Sequence, residues 1–96
     1  MKAVIEFVGY FRTKTGMERF IYDFDDDSAT VRDIIIEAEK ALRDREFVIL
    51  RDGGLIDGVL VFHRKANDGM ERIFTPDTPL REIGNSIVLA NLMGGG

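Results

Sequence analysis

The stretch DDDSATVRDIIIEAEKALRD (25–44) constrains the fold of this chain more than any other. Val31, Ile34, Ile35, Ala38, Ala41 and Leu42 recur at the spacing of one helix face. Thr30 precedes the run and Asp33 follows three residues later, a capping box with Asp in the usual Glu place. The acidic residues 25–27 lie at the positive end of the helix dipole, which favours them there. A helix with one apolar stripe must lay it on a partner layer, so the rest of the chain has to supply that layer.

The flanking sequence reads as strands. In KAVIEFV (2–8), Ala3, Ile5 and Phe7 alternate with Lys2 and Glu6. GYFRTKTG (9–16) reads as a polar turn between two glycines, and ERFIYDF (18–24) as a second strand with Phe20, Tyr22 and Phe24 on one face, which makes a hairpin. After the helix, EFVILR (46–51) and GVLVFHR (58–64) are strand-like runs separated by Gly53 and Gly54. ANDG (66–69) reads as a turn, MERIF (70–74) as a short returning strand, and TPDTPLREIG (75–84) as a bend with a helical half-turn near Pro79 and Leu80. SIVLANLM (86–93) is the last strand. The expected class is α+β, with a mixed sheet packed on one main helix in a single domain over 1–93 and a glycine tail over 94–96. The last strand is apolar on both faces, with Val88, Ala90 and Leu92 on one and Ile87 and Leu89 on the other. One set should meet the helix, and the second is either covered by additional chain or left exposed as a docking patch.

Composition removes several function classes. The chain has 96 residues, no cysteine and one histidine, so no thiolate nucleophile, disulfide framework or cysteine metal site is available. Net charge is −4 and Lys and Arg form no block, which argues against nucleic acid as a partner. Glu6 interrupts the N-terminal apolar run, and no stretch is long enough to span a bilayer, so the chain reads as soluble and cytoplasmic, without a membrane partner.

Candidate chemistry thins out in the same way. Asp23, Asp25 and Asp27 begin like a calcium loop, but Ser28 and Ile34 stand where glycine and glutamate are needed. Gly9, Lys14, Thr15 and Gly16 lack the spacing of a phosphate-binding loop. His63 has no second histidine as a metal co-ligand and no identified nucleophile to activate, so it reads as a partly exposed strand residue. No catalytic, cofactor-binding or metal-ligating set emerges. The chain reads as a substrate or carrier more than a catalyst.

That leaves LMGGG (92–96). Gly94, Gly95 and Gly96 follow the last strand without a linker. Glycine removes every side chain, so such a tail can thread a narrow cleft and bring its carboxylate close to a nucleotide. A carboxylate becomes reactive once adenylated, because AMP is a good leaving group.

On these residues the chain resembles the ubiquitin-like β-grasp sulfur carriers, especially the MoaD-type small subunits of molybdopterin synthase and their ThiS relatives. VIEFVGYFRTKTG is similar to the family's first strand and hairpin, and SATVRDIIIEAEKAL to its helix start. DTPLREIGNSIVLANLMGGG (77–96) resembles its closing segment, whereas 44–76 matches loosely. Two departures stand out: Ala90-Asn91-Leu92-Met93 replaces the frequent proline-rich bend, and there is a third glycine. The resemblance implies that a ubiquitin-activating-like adenylyltransferase uses ATP to adenylate Gly96, and that a sulfur donor converts it to a thiocarboxylate. A MoaE-like catalytic subunit would then receive the sulfur for a pterin precursor, with no cofactor bound by the carrier itself. Gly94 and Gly95 would thread into the partner, and Leu92, Met93, Ile87 and Leu89 would dock against it. The same activation serves a ubiquitin-like protein modifier, or carriers for thiamine and tRNA thiolation. A non-conjugated β-grasp interaction module is the reading in which the glycines are idle.

Overall fold

The structure, a computed structural model, describes residues 1–92. The expected tail at 94–96, the boundary at 93/94 and Met93 lie outside the described residues. Strand β1 (Lys2–Phe7) is followed by a short helix α1 (Tyr10–Thr15), strand β2 (Arg19–Asp23) and the main helix α2 (Val31–Ala41). A small hairpin of β3 (Leu50–Arg51) and β4 (Gly54–Leu55) precedes β5 (Val59–Arg64), β6 (Met70–Ile73) and β7 (Ser86–Asn91). The main sheet runs in the order β2-β1-β7-β5-β6. β1 and β7 pair in parallel, and the other neighbours are antiparallel. This is the expected α+β architecture.

The capping box forms as the sequence predicts. Thr30 Oγ1 accepts from the Asp33 N–H at 3.3 Å, and Asp33 Oδ2 accepts from the Thr30 N–H at 2.9 Å. Val31, Ile34, Ile35 and Ala38 have no exposed surface, whereas Ala41, predicted on the same stripe, is exposed near the helix end. Burying each of the larger aliphatic side chains contributes about 1.5–3 kcal/mol. They rest on Ala3, Ile5 and Phe7 of β1, Ile87 and Leu89 of β7, and Val61 of β5.

Three expectations need correction. The 9–16 stretch is a helix, because Phe11 is drawn into the core at 4% exposure and the Thr15 hydroxyl donates to the Phe11 carbonyl at 2.8 Å. Gly16, at φ 73°, ends it in the left-handed conformation that glycine adopts without strain. EFVILR is a strand only at Leu50–Arg51. Phe47 and Ile49 are core side chains on irregular backbone, with Phe47 edge-on to Phe7 and Phe11 at 5.6 and 5.8 Å. The Glu39 carboxylate of α2 anchors this segment by accepting from the Ile49 and Leu50 N–H groups at 2.8 and 3.0 Å. Finally, Ile87 and Leu89 are both 0% exposed beneath α2 and belong to the core, not to a docking surface. Their register partners Ile5 and Phe7 share that face.

Among the described residues no helix is long and apolar enough to cross a membrane.

Candidate functional site

The glycines expected to form a tail follow in sequence on the end of β7, which would be the root of that tail. This strand is the middle one of the five, bonded to β1 on one side and β5 on the other. Beyond its last residue the ladder adds one more bond, from the Leu92 N–H to the Gly58 carbonyl at 2.6 Å. The chain is therefore held to the sheet as far as Leu92, whose side chain is 68% exposed. Of the predicted docking residues, Leu92 alone is described and exposed. Ile87 and Leu89 are buried, and Met93, Gly94, Gly95 and Gly96 lie outside the described residues.

The apolar surface next to this root is on the sheet face away from α2. The Leu60↔Ala90 register puts these half-buried side chains side by side. Phe74 follows Ile73, whose partner is Val61, so it falls beside Leu60 and is 78% exposed. Phe62 and Val88 form the next row. A row from Ala90 through Leu60 to Phe74 thus adjoins the tail root. Sequence reading missed Leu60, Phe62 and Phe74, although the alternation of GVLVFHR separates Leu60 and Phe62 from Val59 and Val61.

Polar groups border this face. Arg64 donates to Glu6 through Nε at 3.2 Å and Nη2 at 2.8 Å, bridging β5 and β1 across β7. Val88, the register partner of Glu6 on β1 and of Phe62 on β5, is 2% exposed. The Arg64 hydrogen bond holds the Glu6 carboxyl below the usual carboxylate range, against a smaller opposing effect of burial. The Arg72 guanidinium lies 4.8 Å from the centroid of the Phe74 ring.

On the other side of the root is a cleft of about 200 Å³ between α1, the irregular segment 46–48 and the start of β5. Tyr10 and Val48 stand at its wall, 43% and 58% exposed, with Lys14 and Asn91 also lining it. The segment 44–76, loosely matched in sequence, therefore supplies two surfaces that flank the tail root.

The remaining candidates have structural roles. His63 Nε2 lies 2.8 Å from Glu71 Oε1, and Lys65 lies 3.6 Å from the same carboxylate. The His63 hydrogen bond, more than the Lys65 charge, holds the Glu71 carboxyl below its ordinary range. In the acidic stretch, Asp26 accepts from the Ser28 hydroxyl at 2.6 Å and N–H at 2.9 Å, and it too is shifted downward, chiefly by the hydroxyl bond. Here the carboxylate closes a turn that feeds α2.

No protein-family model matches the chain, and no curated protein matches it in sequence. Among solved structures it is similar to SAMP1 from Haloferax volcanii, with 20% identity over 100% of both chains and a TM-score of 0.73. It is also similar to the Haloferax volcanii HVO 2177 protein, with 18% identity over 100% of this chain and 87% of that one and a TM-score of 0.64. At this identity the likeness establishes the fold, which is the ubiquitin-like β-grasp.

Proposed function

We propose that this chain is a sulfur carrier for molybdopterin biosynthesis, with the Gly96 carboxylate as its working group. A ubiquitin-activating-like adenylyltransferase binds the carrier and ATP. The Gly96 carboxylate attacks the α-phosphorus of ATP and pyrophosphate leaves. Hydrosulfide released by the donor then attacks the acyl carbon, AMP departs, and the carrier ends in a thiocarboxylate. In a MoaE-like subunit, Gly94 and Gly95 thread the cleft, the thiocarboxylate sulfur bonds to the pterin precursor, and water cleaves the acyl–sulfur bond, which leaves the sulfur on the pterin and returns Gly96 as a carboxylate.

One observation supports this reading above the others: the glycines follow directly on a central strand that stays hydrogen-bonded to Leu92. The reach of the tail is thereby referenced to a rigid sheet. The row Ala90, Leu60 and Phe74 beside the root offers the apolar contact that offsets the cost of ordering the tail on binding. Docking is accordingly assigned to this face and Leu92 in place of Ile87 and Leu89. A protein modifier would share every step up to the adenylate and differ only in that a lysine amine attacks.

The test is the intact mass of the protein purified from its native host, with the C-terminal peptide sequenced. Oxygen exchanged for sulfur on Gly96 is expected. A plain carboxylate that persists after incubation with the activating enzyme, ATP and a sulfur donor would overturn the carrier reading. Glycine remnants on lysines of other proteins would redirect it to a modifier. Deleting the gene should also abolish molybdoenzyme activity; an unchanged level would move the sulfur acceptor elsewhere.

A further inference from the structure

Strand β6 closes the main sheet on one side, and among the described residues it pairs with β5 alone. Its other edge presents backbone N–H and C=O groups of the kind that pair with an added strand. The side chains along that edge are unusual. Met70 and Phe74 are 51% and 78% exposed, and Arg72 lies between them. The register Arg64↔Met70 and Phe62↔Arg72 puts Met70 and Arg72 on the face away from α2, and Phe74 continues the alternation. Glu71 points to the opposite face, where it serves His63 and Lys65. Arg72 has no carboxylate partner among the described residues and rests against Phe74.

We infer that this edge takes up an extended segment of another protein, bound as an additional antiparallel strand. Directly opposed residues of such a pair lie on one face at two-residue spacing. The segment that fits therefore carries a carboxylate opposite Arg72 and an apolar side chain two residues away on each side, opposite Met70 and Phe74. The recognised pattern is apolar, any, acidic, any, apolar. Main-chain bonds supply the affinity of this binding mode, and the alternate side chains supply its selectivity. The other sheet edge of a second copy fits less well. Ile21 and Asp23 would meet Phe74 and Arg72, but Asp25 then falls where an apolar side chain is needed. Phe74 is shared with the apolar row beside Leu92, but strand addition at this edge needs neither the glycines nor an activating enzyme.

The probe is the peptide acetyl-KTVTETVTK-amide, titrated into the isotope-labelled full chain and followed by amide NMR shifts and exchange. Shifts and new protection concentrated at residues 70–74 are expected. Replacing the peptide's glutamate by lysine should weaken binding by about fivefold, the scale of an exposed ion pair. The Arg72→Glu chain should reverse that preference, and because Arg72 is a surface residue this variant keeps the fold. Shifts absent from 70–74 at millimolar peptide, or a preference unmoved by Arg72→Glu, would overturn the proposal. So would sedimentation at twice the 10.8 kDa monomer mass with residues 70–74 protected before peptide is added, which would assign the edge to a second copy.

Discussion

The two faces of the main sheet are built from the same strands and yet behave as different materials. Towards α2, Ala3, Ile5, Ile87 and Leu89 are wholly buried in one core with the helix stripe. On the far face, Leu60, Phe62 and Ala90 are half-buried, while Ile21, Met70 and Phe74 are open to solvent. Strand β7 contributes to both at alternating positions. Val88, 2% exposed on the far face near the Glu6–Arg64 pair, is the exception; elsewhere on β7 burial follows where the helix was laid rather than the hydrophobicity of the strand. One face holds the fold together, and the other is available for contact.

The largest expected effect tests the closed face. Leu89→Ala should cost about 2–5 kcal/mol in urea unfolding, because its neighbours cannot collapse onto the cavity. A cost below that of an ordinary surface change would mean that the two faces are not distinct. Thr30→Ala removes one half of the capping box that fixes where α2 begins. It should cost about 1 kcal/mol in the same assay. Leu92→Asp, on the open side, should alter stability by no more than about 0.5 kcal/mol. It should nevertheless raise the KM for the carrier in the adenylation reaction, and equal kinetics for the two proteins would remove Leu92 from the docking surface.

The smallest effect concerns the border of the open face. Because Arg64 depresses the Glu6 carboxyl, the ion pair contributes fully above the ordinary carboxylate value of 4.5. That contribution fades as pH falls through the lower folded value. The Tm difference between the parent and Glu6→Gln should therefore be small and positive at neutral pH and vanish in strong acid. A difference that grew on acidification would contradict the assigned pairing.

The same contrast explains what the sequence could reveal. α2 was legible because its stripe, cap and length agree; β1 was legible from alternation, and β5, β6 and β7 from β-branched, aromatic or apolar runs bounded by turn residues. Which face of β7 meets the helix was not, since Ile87, Val88, Leu89 and Ala90 are all apolar and only the pairing Ile5↔Ile87 decides between them. The error at Ile87 and Leu89 has that origin. Helix α1 was hidden because two glycines and polar residues outweighed Phe11, whose burial depends on the distant Phe47. Phe47 and Ile49 in turn hold core positions through the reach of Glu39, a tertiary contact that local pattern does not encode. At the site, the glycines and Leu92 could be singled out from sequence, but Leu60 and Phe74 became neighbours of the tail root only through strand order.

The parallel pairing of residues 4–7 with 86–89 also bears on how the protein is made. During translation the first strand emerges long before its central partner exists, and closing so long a loop must precede any gain from the contact. The sheet remains two unjoined halves until the final strand has left the ribosome. The β1–β2 pair and the β5–β6 pair can each form locally, but they become one sheet, and share one core beneath α2, only when the last strand of the sequence is in place.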